Sequence, residues 1–462
     1  MTERNKTDLA DFGLREILEV VSGELILGNP GDCFQGVSID SRTVKKGEIF
    51  IAIKGDRYDG HNFIAEAAAK GAGCIIAQRN QILLLGSKLP QAVVLVNDTL
   101  LALSSLAYCH RKKFGIPVIG ITGSNGKTTT KEMLSSLLSS RYNVLKNEGT
   151  QNNLIGVSLT LLRLNPQHDI AVLEFGTNHF GEIRELARIA APNMGIITNI
   201  GPAHLEFFGD ERGVLREKWS LIEELTFPRI AVLNADDSLL QERIKNCPED
   251  IQCFTFGLNN PADFLGKKAV CRNKKLSFWV KNYRFQLKTC ARINVYNALA
   301  AYAASRIFSL DAYDIINKFS QFKFPDARFQ AKNIWGIKVI DDAYNANPVS
   351  LECALDAFRA FPARGRKIAV IADMLELGGK GEILHRKAGV DLVRSGIDFI
   401  VGVGRLSHIA CDEALSEGFN PQAVRKCHSV LDARNIIRGL VKKGDTVLLK
   451  GSRAMRLEEI FK

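Results

Sequence analysis

The sequence predicts an α/β protein of three domains, and three observations carry that expectation. Apolar runs of strand length alternate with segments of helical periodicity through the middle of the chain, the pattern of a parallel sheet covered by helices. One alternation, residues 116–133 (IPVIGITGSNGKTTTKEM), joins strand to helix through a glycine-rich turn, which predicts a central sheet of the P-loop type. Beyond residue 325 three further apolar runs, in RKIAVIAD, DFIVGVG and DTVLLKG, predict a C-terminal doubly wound, Rossmann-like sheet. The expected domains are 1–98, a small α/β module, then 99–325 and 326–462.

In the first unit, residues 37–39 and 49–53 read as short strands, and 65–70 as a helix ending at Gly71. Ser41, Arg42, Arg57, Asp59 and His61 crowd its loops, where a ligand site would lie, although loops are polar in any case. A helix over 100–113 leads into the central unit.

There Val118, Ile119 and Ile121 form a buried strand, and Met133, Leu134, Leu137 and Leu138 recur at helical spacing, so residues 123–127 must be the turn. Gly123 and Gly126 let successive N–H groups of Ser124, Asn125 and their neighbours converge, and the helix start adds its positive end. Such a nest holds phosphate. Lys127 would reach outer phosphates as a point charge, and the Thr128 hydroxyl is placed for the Mg2+ that travels with them. The strict P-loop pattern wants glycine where Ile121 stands, so this is a shortened variant. Two other strands, Ile170–Glu174 and 195–200, end in Glu174 and in GPAH with His204; ligands gather at the C-terminal ends of parallel strands, so both residues are expected to face the phosphates.

Composition narrows the function class. A chain of 462 residues, 46% hydrophobic and 24% charged, is ordinary for a multidomain globular protein. No uninterrupted apolar run is long enough to span a membrane, and the first residues lack an export-type core, so a cytoplasmic location without membrane insertion is expected. Ten cysteines without a CxxC pair suit reduced thiols rather than a disulfide framework or zinc site. The +11 charge is spread in twos and threes, which argues against nucleic acid and suits small polyanionic substrates.

Taken together, TGSNGKTTTKEM, LEFGTNHFGEIRELARIAAPNMGIITNIGPAHLEFFG, NADD at 234–237, RINVYNALAA, DDAYNANPVS, ADMLELG with His385, and KGSRAMRLE resemble, in order, the motifs of the Mur ligases of peptidoglycan synthesis. DSR, GEIFIAIKG and DGH resemble that family's N-terminal UDP-sugar module. The resemblance implies an ATP- and Mg2+-dependent amide ligase, probing a UDP-muramoyl substrate with the first domain, ATP with the second and an amino acceptor with the third. DDAYNANP resembles the members that join D-alanyl-D-alanine to UDP-N-acetylmuramoyl-tripeptide, the alternative being a member that adds a single amino acid. It further implies that Gly123, Ser124, Asn125, Gly126, Lys127, Thr128 and Thr129 bind ATP phosphates, with Asn294, Asn297, Arg328 and Asp342 on the rest of the nucleotide. Thr128 and Glu174 would hold one Mg2+, and His204 a second with Lys218, a lysine carbamoylated by CO2 in several family members. Lys127, Glu174, His204, Lys218 and Arg328 are thus the implied catalytic set. Ser41 and Arg42 match uridine-side contacts, Asn152 and Asn153 the rest of the sugar nucleotide, and Asn345 and Asn347 are candidates for the acceptor; a monomer is expected. The match departs at Ile293 before the nucleotide asparagine, at Thr150 to Asn153, and at Ala372. A nucleotide-gated motor would have no use for the UDP-type module, and an inactive binding protein would be expected to lose Lys127, Glu174 or His204.

Overall fold

The computed structural model describes residues 11–55, 57–81 and 88–462, which contain three large α/β sheets in chain order, as the motif order predicts, and a two-stranded antiparallel ribbon of Asp11–Gly13 with Cys33–Gln35. The first has five strands, ordered Glu24–Leu27, Ala92–Val96, Cys74–Gln78, Ile49–Ile51, Val37–Ser38. It is parallel except at the Glu24–Leu27 edge. The helix after Gly60–Phe63 runs Ile64–Lys70 and ends at Gly71 in the left-handed conformation (φ 98°), which glycine adopts without steric cost.

The nine-stranded central sheet puts Val118–Thr122 between Ile170–Glu174 and Met194–Ile197, all parallel, so the phosphate-loop strand is flanked by the two strands whose exits carry Glu174 and His204. All residues of Val118–Thr122 are buried, as expected for a strand covered on both faces. Beyond Ile230–Asn234 and Gln252–Gly257 the sheet continues as an antiparallel meander, Phe264–Arg272, Lys275–Val280 and Tyr283–Leu287. The six-stranded third sheet, Gln330–Ile334, Ile337–Asp341, Thr446–Lys450, Lys367–Ala372, Phe399–Val403, Val424–Cys427, is parallel except for its first strand.

The helix expected over 100–113 is Thr99–Lys112, started by Asp98, whose Oδ1 accepts the N–H groups of Leu100 and Leu101 at 2.7 and 3.0 Å. It joins the first two sheets. Ala102, Leu103 and Leu106 lie in one continuous core with Ile49, Ile76 and Val94 on one side and Val118, Leu161 and Leu173 on the other. The third sheet keeps separate cores on its two faces, around Ile340 and Ala369 and around Val339 and Val370.

Two expectations are corrected. The strand expected over 195–200 stops at Ile197, because Thr198 and Asn199 turn aside to hold the phosphate loop. Reduced thiols hold for eight cysteines, but Cys271 and Cys290 are disulfide-bonded, brought together where the meander folds back, with Cα atoms 5.5 Å apart. No helix among the described residues is long and apolar enough to cross a membrane.

Candidate active site

The phosphate loop is shaped by its two glycines and clamped from the neighbouring strand. Gly123 and Gly126 have φ 145° and 85°, and a Cβ at either would lie 1.9 Å from Thr198 Oγ1 or 2.1 Å from Asn297 Oδ1, so no side chain fits. The Asn125 carbonyl accepts from Thr198 Oγ1 at 2.5 Å and Asn199 Nδ2 at 3.0 Å, while Ser124 N donates to Asn199 O at 2.9 Å. Ser124 Oγ accepts from Gly201 N and donates to Gly201 O, at 2.9 and 3.0 Å. Thr198, Asn199 and Gly201 therefore set the loop, a role that adjacency to GPAH could have signalled.

Lys127 opens the helix Lys127–Leu138 and donates to Gly123 O at 2.8 Å. Burial lowers its ammonium pKa below the ordinary lysine value, with Arg328 acting the same way and Glu174 opposing. Glu174 is buried; Oε1 accepts from Asn152 Nδ2 at 2.8 Å, and Oε2 has no hydrogen-bond partner. An unpartnered carboxylate oxygen at a phosphate nest fits a hard cation. Among the described residues no three His, Cys, Asp or Glu side chains form a metal cage, so a cation here would also need phosphate oxygens, which is how Mg2+ is usually held. Lys218 is buried in the helix Glu211–Glu223 with no hydrogen bond or ion pair from its Nζ among the described residues. Burial, then the Lys127 charge, drive its pKa well below the ordinary value against the pull of Glu217. Glu217 itself is taken up by the N–H groups of Gly181 and Ile183, both at 2.7 Å.

The third sheet closes over the loop. Arg328 donates to Thr128 Oγ1 at 3.3 Å and stacks 3.8 Å over the Tyr344 ring. Asn347 and Asn125 exchange two amide hydrogen bonds, at 2.9 and 3.3 Å. Asn294, Asn297, Arg328 and Asp342, the residues for which the resemblance implies nucleotide contacts, line one cleft with Asn125 and Gly126. Lys450, which sequence reasoning missed, lies there too: its Nζ donates to Asp342 Oδ2 at 2.7 Å and to Asn345 O at 3.0 Å.

Three candidates have duties the sequence did not reveal. Asn347 Oδ1 caps the helix Pro348–Ala360 by accepting from Ser350 N at 2.9 Å, so its amide is committed to the cap and to Asn125 rather than left for an acceptor; Asn345 remains exposed. Asn153 caps the helix Leu154–Leu161, accepting from Gly156 N at 3.0 Å. His204 Nδ1 lies 2.6 Å from Glu376 Oε2 of the third sheet's ADMLELG turn, close enough for an ion pair though not aligned as a hydrogen bond. The His204 contact lowers the pKa of Glu376.

A second cleft opens between the first sheet and the helix at Leu159, lined by Ser38, Ser41, Arg42, Tyr58, Gln151 and Arg163. Ser41 Oγ donates to Glu66 Oε2 at 3.0 Å, and Arg42 makes a bidentate pair with Asp40 at 2.9 and 2.7 Å that holds that carboxyl at about 2. His61 is structural: Nε2 accepts from Gln78 N at 3.0 Å and Nδ1 meets Asp59 at 2.6 Å.

Family models match in the same order as the sheets: Mur ligase family, catalytic domain over residues 34–107, Mur ligase middle domain over 121–305, and Mur ligase, glutamate ligase domain over 327–453. The chain is similar to the UDP-N-acetylmuramoyl-tripeptide–D-alanyl-D-alanine ligase of Bacillus subtilis (strain 168), 34% identical over 455 residues and 97% of both chains. Its Escherichia coli (strain K12) counterpart is 32% identical over 458 residues, again 97% of both. Among solved structures, MurF from Acinetobacter baumannii superposes with a TM-score of 0.88 at 29% identity, covering 98% of each chain. MurF ligase from Thermotoga maritima in complex with ADP gives 0.79 at 29%, covering 92% of this chain and 96% of that one. The phosphate loop, the three sheets and these full-length likenesses lead to one conclusion: the chain belongs to the Mur ligase family.

Proposed function

We propose that this Mur ligase joins D-alanyl-D-alanine to UDP-N-acetylmuramoyl-tripeptide at the expense of ATP, in the cytoplasm and as a monomer. The observation that carries the reading is the closure of the third sheet onto the phosphate loop, through Arg328 to Thr128 and Asn347 to Asn125, within a chain similar over its whole length to ligases of that specificity. Residues 1–98 take the UDP substrate in the Ser41–Arg42 cleft, 99–325 take ATP, and 326–462 take the dipeptide beside Asn345.

A free carboxylate is a poor acyl donor because its leaving group would be oxide. The tripeptide's terminal carboxylate oxygen therefore attacks the γ-phosphorus, ADP leaves, and an acyl phosphate forms. The amine of the dipeptide adds to the acyl carbon, phosphate departs with its C–O bonding pair, and the nitrogen gives up a proton. Like charges must be held together for the first step. Lys127 exchanges Gly123 O for phosphate oxygens, Arg328 adds a second cation, and the clamped N–H groups of the loop stay fixed while charge moves. Glu174 Oε2 and the Thr128 hydroxyl would hold Mg2+, which lowers phosphate charge repulsion when bound. His204 and Lys218 are the candidates at a second ion, Lys218 after carbamoylation; a buried lysine with a depressed pKa supplies the neutral amine that CO2 requires.

The test is phosphate release from ATP. It should require both the UDP-muramoyl tripeptide and D-alanyl-D-alanine; release with a single amino acid in place of the dipeptide would favour the other Mur-ligase specificity.

A further inference from the structure

The antiparallel meander at the far edge of the central sheet has no part in the chemistry above, and its charge is one-sided. Between Asp263 and Asp311 the chain contains no acidic residue, while Lys267, Lys268, Arg272, Lys274, Lys275, Lys281, Arg284 and Lys288 all fall within or beside the three strands. None of these eight enters an ion pair among the described residues. One face of the meander is apolar and buried, through Leu276, Phe278, Val280, Phe285 and Leu287. The other carries cross-strand rows in register: Lys267, Trp279 and Arg284; Val270, Ser277 and Gln286; Arg272 and Lys275. Residues directly opposite share a face, and like charges there are unfavourable, so the Arg272–Lys275 pair repels with no carboxylate to offset it. At the turn, Lys274 lies against Lys338 of the third sheet, and that side-chain contact, then burial and the repulsion of Lys338 and Arg364, lowers its pKa. A folded surface that keeps such a field unneutralised is complementary to an extended anion.

We infer that this face docks on an anionic phospholipid surface. The array of six lysines and two arginines, spread over three strands and their turns, suits many diffuse headgroup charges rather than one bound phosphate. Trp279 and Val270, 38% and 47% exposed among the cations, supply the interfacial aromatic and apolar contact that lipid offers. Single-stranded nucleic acid is less well served, because one exposed ring cannot stack successive bases. Docking here is peripheral and leaves the two clefts open to substrates.

The experiment is flotation of the full chain with vesicles of phosphatidylcholine alone or mixed with phosphatidylglycerol, at low and physiological salt. The chain should bind only the mixed vesicles, more weakly as salt rises. At about five-fold per cation, Lys268→Gln, Arg272→Gln and Lys275→Gln combined should weaken binding about a hundred-fold while ligase turnover with soluble substrates stays unchanged, which also reports correct folding. Tryptophan emission should shift to the blue on mixed vesicles, and Trp279→Phe should remove the shift where Trp335→Phe keeps it. Equal binding to both vesicles, or an unaffected triple variant, overturns the inference; tighter binding to a single-stranded oligonucleotide than to mixed vesicles overturns it in favour of nucleic acid.

Discussion

Lys127 spends its one hydrogen bond on Gly123 O, a bond easily exchanged for phosphate oxygens. Lys127→Ala should lower turnover roughly 10²–10³-fold, the scale of one lost electrostatic stabiliser, while the affinity for the UDP substrate, measured by calorimetry, stays nearly unchanged because Ser41 and Arg42 line a separate cleft. Glu174→Gln replaces the unpartnered Oε2 with either a neutral oxygen or a nitrogen, so the Mg2+ concentration for half-maximal turnover should rise; an unchanged titration would remove Glu174 from the metal. Lys218→Ala should be nearly inactive and partly rescued by short carboxylic acids occupying the vacated place. The pH dependence has a definite sign. Burial lowers the Lys218 pKa, so the neutral amine persists well below the pH an exposed lysine needs, and carbamoylation should be lost as pH falls through that lowered value. Full activity of Lys218→Ala in bicarbonate-free buffer would rule the residue out.

Among elements, the helix Pro348–Ala360 shows how a cap can also serve a site. Asn347→Asp keeps the oxygen that accepts from Ser350 N but removes the donor to Asn125, so it should raise the KM for ATP with little change in melting temperature. Asn347→Ala should additionally cost about 1 kcal/mol of stability through the lost cap. Asn345→Ala should raise the KM for the dipeptide more than that for ATP, because Asn345 is exposed and, while Lys450 holds its carbonyl and Ala346 N donates to its Oδ1, its amide Nδ2 is left to face an acceptor. Periodicity and glycine punctuation made the parallel strands and the phosphate loop legible, since both are local signals. The contact of Asn347 with Asn125, the Glu376 partner of His204 and the Lys450–Asp342 pair were not legible, because each depends on which distant residue the fold brings alongside. Asn125 and Asn347 are 222 positions apart, and nothing local to either announces the other. The Cys271–Cys290 bond escaped for the same reason: its spacing has no motif, and only the returning meander makes it close.

At the scale of the molecule, closure rests on polar contacts that water can replace, beside a small apolar one of Leu384 on Leu205, Phe208 and Val214. The pKa of Glu376 is lowered by His204, so this contact stabilises closure above the carboxylate's unperturbed value and loses its contribution as pH falls through the lowered one. Glu376→Gln should therefore shift the open–closed balance toward open at neutral pH, and scattering should record a larger radius of gyration without nucleotide than in the parent protein. Glu376 is partly exposed, so the shift should be modest and salt-sensitive.

The helix Thr99–Lys112 has a mechanical consequence. Because its side chains belong to a single core with strands of both the first and second sheets, those two sheets are expected to move as one body, and the third sheet, with its own cores, as another. Three sheets then amount to two moving bodies and one joint. Arg328 sits at that joint, between Ala327 and Phe329, both with positive φ, so rotation there carries its guanidinium toward or away from Thr128. The cleft of Ser41 and Arg42 keeps its shape throughout such a stroke, whereas the nucleotide cleft is complete only at its end. A spin-label pair across the first two sheets should keep one distance through the reaction cycle, and a pair from either to the third should show two.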